Sequence, residues 1–167
     1  DSALRDEPLP PSSVAAITFE GRGFAGPEVK LAGDGRRGDT QVELAAVTGL
    51  AAGDRVYLEA PATDRWKSLT RNRCAWGLYR CYEAVVTGVE GRRVRLQQPL
   101  RIEFPVEDGS FVRKVEPIRR CGVEALCLEQ TEALWISGVM FVHGWECWAR
   151  NVTVRKCGRF HVYGRCA

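Results

Sequence analysis

The side chains best equipped for chemistry in this chain of 167 residues crowd between Ala60 and Cys81. Arg65, Trp66, Lys67, Arg71, Arg73, Trp76, Tyr79 and Arg80 fall there with one acid, Asp64. Flat aromatic rings stack on the C–H faces of sugars, and guanidinium forks bind carboxylate or sulfate through paired hydrogen bonds. Trp66, Lys67, Arg71, Arg73, Trp76, Tyr79 and Arg80 are therefore candidates for contact with a polyanionic glycan. Two plainer readings compete: a structural loop whose aromatics pack on their own β-domain, or a platform for single-stranded nucleic acid. The balance of 24 basic and 21 acidic residues, a net +3, gives a nucleic-acid partner little support.

Cysteine chemistry is the second possibility. The seven cysteines are Cys74, Cys81, Cys121, Cys127, Cys147, Cys157 and Cys166. No Cys-x-x-Cys pair occurs and only two histidines exist, so neither a metal site nor a cofactor is expected. Cys74 and Cys81 are placed to pin the loop between them. Cys121 and Cys147 are spaced for either a disulfide or a ladder of thiols. The odd count leaves one thiol without a partner inside the chain. Asn151-Val152-Thr153 is a glycosylation sequon, which agrees with a secreted protein. No apolar run approaches the roughly 18 residues of a membrane span. Arg37-Gly38-Asp39 is an integrin-type tripeptide, but it sits at the start of a strand pattern.

The elements that must position these groups read as strands. Residues 1–14 form a polar, Pro-rich extended arm, and Ala16-Ile17-Thr18-Phe19 is one short apolar stretch. Val42 and Leu44 alternate with polar neighbours. Arg55 to Leu58, Tyr82 to Thr87, Val94 to Leu96 and Phe111 to Val115 follow, with a hairpin turn at Val89 to Arg92. No segment longer than ten residues keeps a helical period, so the chain is all-β.

From Pro117 the sequence repeats. Cys121 aligns with Cys147, Val123 with Ala149, Leu126 with Val152 and Leu128 with Val154, an offset of 26. Without a gap, the same offset sets Leu134 against Phe160, Ile136 against Val162 and Gly138 against Gly164. A weaker echo at half that offset links Val123, Ile136 and Ala149. Such a period predicts a solenoid of parallel strands, with Leu, Val, Ile and Phe inside. Glu124 faces Arg150 and Glu129 faces Arg155 across coils, a surface charge pairing.

Four stretches resemble right-handed parallel β-helix proteins of the pectate-lyase-like superfamily. They are GDTxVxLxxxxGLxxGDxVxL from Gly38 to Leu58, VTxVxGxxVxLxxPL from Val86 to Leu100, VxxIxxxGVExLxLE from Val115 to Glu129, and CWxRNVTVRxxGR from Cys147 to Arg159. The resemblance covers about three quarters of the chain and specifies fold better than activity. It implies a small antiparallel β-barrel or sandwich followed by the first coils of a right-handed parallel β-helix, and long carbohydrate ligands as a class.

Hydrolases of that family use two or three aspartates, and its lyases an Arg or Lys with Asp-held calcium. Here no Asp follows Asp108, and the solenoid acids are Glu116, Glu124, Glu129, Glu132 and Glu146. Arg155 and Lys156 lack an acid cluster beside them. His161 aligns with Trp135 and is a weak candidate base; His143 is the other coil histidine. No catalytic set is recognisable.

The expected organisation is an extended arm and first strand over 1–38, a small antiparallel β-domain over 39–116 and the start of a β-helix over 117–167. Two coils fall short of the usual three or more repeats. The chain therefore reads as the N-terminal part of a secreted carbohydrate-active protein, lyase or glycosidase in type, continued past Ala167 by more chain or another subunit. The alternative is a non-catalytic β-helix that binds glycan or builds an extracellular assembly.

Overall fold

The computed structural model describes residues 15–72 and 80–165. In chain order the elements are β1 (Ala15–Glu20), β2 (Gly23–Lys30), β3 (Gln41–Glu43), β4 (Arg55–Ala60), helix α1 (Asp64–Leu69), β5 (Arg80–Glu90), β6 (Arg93–Leu96), β7 (Phe111–Glu116), β8 (Ile118–Arg119), β9 (Gly122–Glu129), β10 (Ser137–Val142), β11 (Gly144–Trp145), β12 (Trp148–Arg155) and β13 (Val162–Arg165). A 3₁₀ turn spans Val106–Asp108. The all-β reading holds. The chain divides into two compact units, Phe24–Glu116 and a unit combining residues up to Gly23 with those from Pro117 on.

The first unit is one six-stranded sheet in the order β2-β7-β4-β5-β6-β3. β4 pairs antiparallel with both β5 and β7, and β6 with both β5 and β3. Its two edges, β2 and β3, meet just past the strands at a single antiparallel bridge, Leu31 to Leu44. Alternation decides the faces. Val56, Leu58 and Ala60 of β4 join Val42, Leu44, Val86, Val94, Leu96, Phe104 and Val112 in the core. Each large side chain buried there contributes roughly 1.5–3 kcal/mol. The opposite face of β4 is polar yet covered. Arg113 donates to Glu59 at 2.6 Å and lies 3.4 Å over the Phe24 ring, and Phe24 meets Tyr57 edge-on. β2 contains Pro27, which an edge strand tolerates because proline has no N–H to give to a ladder.

The second unit is a stack of parallel strands. β8 pairs with β11 and β9 with β12, all at the predicted offset of 26, from Gly122 opposite Trp148 to Glu129 opposite Arg155. A third sheet has the order β1-β10-β13. Each full coil thus contributes one strand to each of three sheets.

Two features depart from the sequence reading. The gapless register fails after Arg155: Val139 of β10, not Ile136, faces Val162, an offset of 23. The connection into β13 is three residues shorter than the one into β10. Leu134, Phe160 and Val162 consequently lie exposed rather than inside. The other departure is β1, which the sequence groups with the arm. It pairs in parallel with β10, Ala15 against Ser137 and Phe19 against Phe141, and the two phenyl rings stack at 5.1 Å. The whole six-stranded sheet is therefore inserted between the first strand of the stack and the rest.

Candidate functional site

The expected glycan loop is organised around an aspartate that the sequence did not single out. Thr63 caps α1, its hydroxyl accepting from the Trp66 amide at 3.2 Å. The same hydroxyl donates to Asp108 Oδ1 at 2.5 Å. Asp108 Oδ2 accepts from Arg80 at 2.5 Å and from Arg65 at 2.8 Å. Asp108 and Arg80 are both buried. Burial alone would raise the Asp108 carboxyl. Hydrogen bonds from Thr63 and Arg80, with the charges of Arg80 and Arg65, outweigh it and hold the group below the usual carboxylate range.

This clamp consumes part of the predicted set. The Arg80 guanidinium lies 4.4 Å over the Trp66 ring, so both side chains brace the loop. Lys67 reaches Asp64 at 3.1 Å. Arg71 is exposed and, with Asn72, adopts the left-handed conformation that turns the chain out of α1. Arg73, Trp76, Tyr79 and Cys74 lie outside the described residues. Cys81 is exposed on β5. The helix itself escaped the sequence reading because six residues show less than two turns of periodicity.

In front of the clamp runs a groove of about 390 Å³ lined by Asp34, Arg36, Arg37, Arg65, Glu103 and Glu107. A second groove of about 420 Å³, lined by Gln98, Pro99 and Arg101, shares Arg37 with it. The turn carrying Arg36 and Arg37 is fixed by backbone bonds. Gly35 and Phe104 exchange two, at 3.1 and 2.8 Å, and Gly38 donates to Leu100 at 2.9 Å. Arg65 bridges Glu107 at 2.8 Å as well as Asp108. Arg36, Arg37 and Arg101 are exposed, and none forms an ion pair among the described residues. Sequence reasoning weighed Arg37 only within Arg37-Gly38-Asp39 and passed over Arg36 and Arg101. The local signal was the Arg36-Arg37 pair in a Gly-bounded turn.

On the stacked unit, acids and bases do pair between coils. Arg150 bonds Glu124 at 2.6 Å and Arg120 bonds Glu146 at 2.7 Å. Glu129 takes Lys156 rather than Arg155, at 2.5 Å. For Cys121 and Cys147 the sequence leaves both a disulfide and a thiol ladder open, and the structure has no disulfide between them. The two sulfurs stand 3.6 Å apart as thiols, the ladder form, and Cys147 also lies 3.7 Å from the Ile118 carbonyl. Cys121 is pushed up by burial and then by its neighbour, which opposes thiolate formation. His161 and Asn151 are exposed. Among the described residues no group of three or more His, Cys, Asp or Glu is placed to hold a metal ion.

Two indoles stand out on this unit, Trp135 at 51% exposed and Trp148 at 41%. Trp148 lies close against the glycine opposite it. A Cβ on Gly122 would fall 2.0 Å from the Trp148 carbonyl oxygen and 2.8 Å from its ring carbon Cγ. Only glycine lets the tryptophan lie across the neighbouring coil.

Solved phage tailspike proteins carry this fold. The tailspike gp49 of Pseudomonas phage LKA1 superposes with a TM-score of 0.62 at 15% identity, over 84% of this chain and 22% of that one. The Pseudomonas phage phi297 tailspike gp61 gives 0.63 at 17% identity, over 84% and 24%. Gp54 of Acinetobacter baumannii bacteriophage AP22, solved with capsular saccharide, gives 0.47 at 13% identity, over 87% and 24%. The chain spans less than a quarter of the length of these proteins. No protein-family description and no curated protein sequence matches it. Among the described residues no helix is long and apolar enough to cross a membrane.

Proposed function

We propose that this chain is part of a pectate-lyase-like β-helix protein that engages polysaccharide outside the cell, with Trp148 and Trp135 contacting sugar rings. The observation that carries this reading is the Trp148 indole, lying over Gly122 yet 41% exposed on a stack of parallel strands. An exposed flat ring on a strand offers a stacking face to a sugar. The tailspike fold agrees, as analogy only. Of the sequence-predicted loop, Arg71 is exposed and open to a ligand, Lys67 pairs with Asp64, and Trp66 and Arg80 hold its shape. Binding is favoured over turnover. Glu124, Glu129 and Glu146 are each engaged by a base on the adjoining coil, which does not suit them to acid–base work. Export agrees with the exposed Asn151 sequon.

The test titrates the chain with dextran, alginate, polygalacturonate and purified bacterial capsular polysaccharides while following tryptophan emission. Binding by at least one polymer, weakened roughly tenfold in Trp148→Ala, supports the reading. Emission unmoved by every polymer, or a Trp148→Ala protein that binds unchanged, rejects it.

A further inference from the structure

We infer that the six-stranded unit carries its own anion subsite, formed by Arg36, Arg37 and Arg101, that takes carboxylate groups of an acidic polysaccharide. The inference extends the polysaccharide reading above but rests on different residues.

Three observations support it. First, the guanidinium groups are unspent. Arg92 has Glu43 and Arg95 has Glu90 as acid partners, whereas Arg36, Arg37 and Arg101 have none among the described residues. Second, they stand on a rigid rim. The turn and the 100–104 strip are tied by four backbone hydrogen bonds, between Gly35 and Phe104, from Gly38 to Leu100 and from Leu100 to Asp39. Asp39 also accepts the Arg36 amide at 2.7 Å, which leaves the Arg36 side chain outside the turn. Binding an anion here orders side chains but does not have to order the backbone that carries them. Third, the two grooves share Arg37, so a ligand can run from one into the other. That suits a chain with repeated carboxylates better than a single small anion.

The surroundings select among polyanions. Asp34, Glu103 and Glu107 line the same groove. They favour a ligand that brings hydroxyl donors along with its anionic groups. No aromatic side chain lines either groove, so bases would find nothing to stack on. A uronate polymer spaces its carboxylates one per ring and brings hydroxyls that the interleaved Glu side chains can accept.

The experiment is calorimetric titration of the whole chain with tetragalacturonate, with its carboxyl-reduced neutral counterpart and with a single-stranded oligonucleotide. Wild type should bind the uronate, with affinity falling as salt rises. Arg36→Gln/Arg37→Gln/Arg101→Gln should lose at least tenfold, and Arg93→Gln, which lines neither groove, should lose nothing. An unchanged melting temperature of the triple variant shows that the loss is not unfolding. Equal binding of the neutral oligomer, tighter binding of the oligonucleotide, no binding of the uronate, or an unaffected triple variant overturns the inference. Trp148→Ala separates the two claims. If it abolishes polysaccharide binding while the triple variant binds as wild type, the proposed function stands and this subsite falls. The reverse pattern leaves the subsite standing alone.

Discussion

Ala125 and Asn151 occupy the same corner on consecutive coils, both left-handed, at φ 51° and 52°. Their neighbours on either side are in register, Glu124 with Arg150 and Leu126 with Val152. Asparagine tolerates this conformation, whereas alanine pays about 1 kcal/mol for it. Ala125→Asn should therefore raise unfolding stability by about 0.5–1 kcal/mol, and Asn151→Ala should lower it by a similar amount. Urea unfolding of the two variants checks both signs.

Gly122→Ala should be far more disruptive. Its added methyl meets backbone, the Trp148 carbonyl, which has nowhere to yield without separating β9 from β12. The expected loss exceeds about 3 kcal/mol, beyond the usual range for a surface substitution. Loss of the Trp148 emission maximum should accompany it, and a melting temperature equal to wild type would contradict the packing described.

Asp108→Asn should cost about 3 kcal/mol at neutral pH, because Arg80 stays buried beside a neutral group. Since the folded-state carboxyl is held below its ordinary value, its stabilisation is fully present above that value and drains away as pH falls through the folded one. The gap between wild type and variant should stay constant from about pH 5 to 8 and narrow below about pH 4. Thermal melts across that range measure it.

Glu83 behaves with the opposite sign. Burial raises its carboxyl, against the lowering effect of the Tyr57 hydroxyl at 3.1 Å. Stability from this position is thus present at low pH and lost as pH rises. Glu83→Gln keeps an acceptor for Tyr57 and removes the buried charge. It should raise the melting temperature at pH 7, by an amount worth less than about 1 kcal/mol, and change nothing at pH 4.

Much of this fold was legible because it is periodic. The offset of 26 in Cys121 to Glu129 and Cys147 to Arg155 fixed a strand pairing directly, since in-register parallel strands repeat side chains position by position. It could not locate the three-residue shortening before Val162, because connections carry no alternation to align. Ala15–Glu20 was just as obscure. Its partner lies more than a hundred residues downstream, and nothing local names it. The functional residues were harder still. Trp66 and Arg80 look alike in sequence whether they reach a ligand or brace each other, and only the placement of Asp108 decides. Arg36 and Arg37 lie far from Arg101 in sequence and share one surface with it when Gly35 meets Phe104.

The pairing of β1 with β10 has a consequence for how the molecule is made. The contact closes a loop that contains an entire sheet, so it is the last large entropic barrier in assembly rather than the first. During synthesis β1 emerges early and must wait, unpaired, until Ser137–Val142 has left the ribosome. A protease cutting the chain between β4 and β5 would sever it without removing the contacts of β1 with β10, which are backbone pairing and the stack of Phe19 on Phe141.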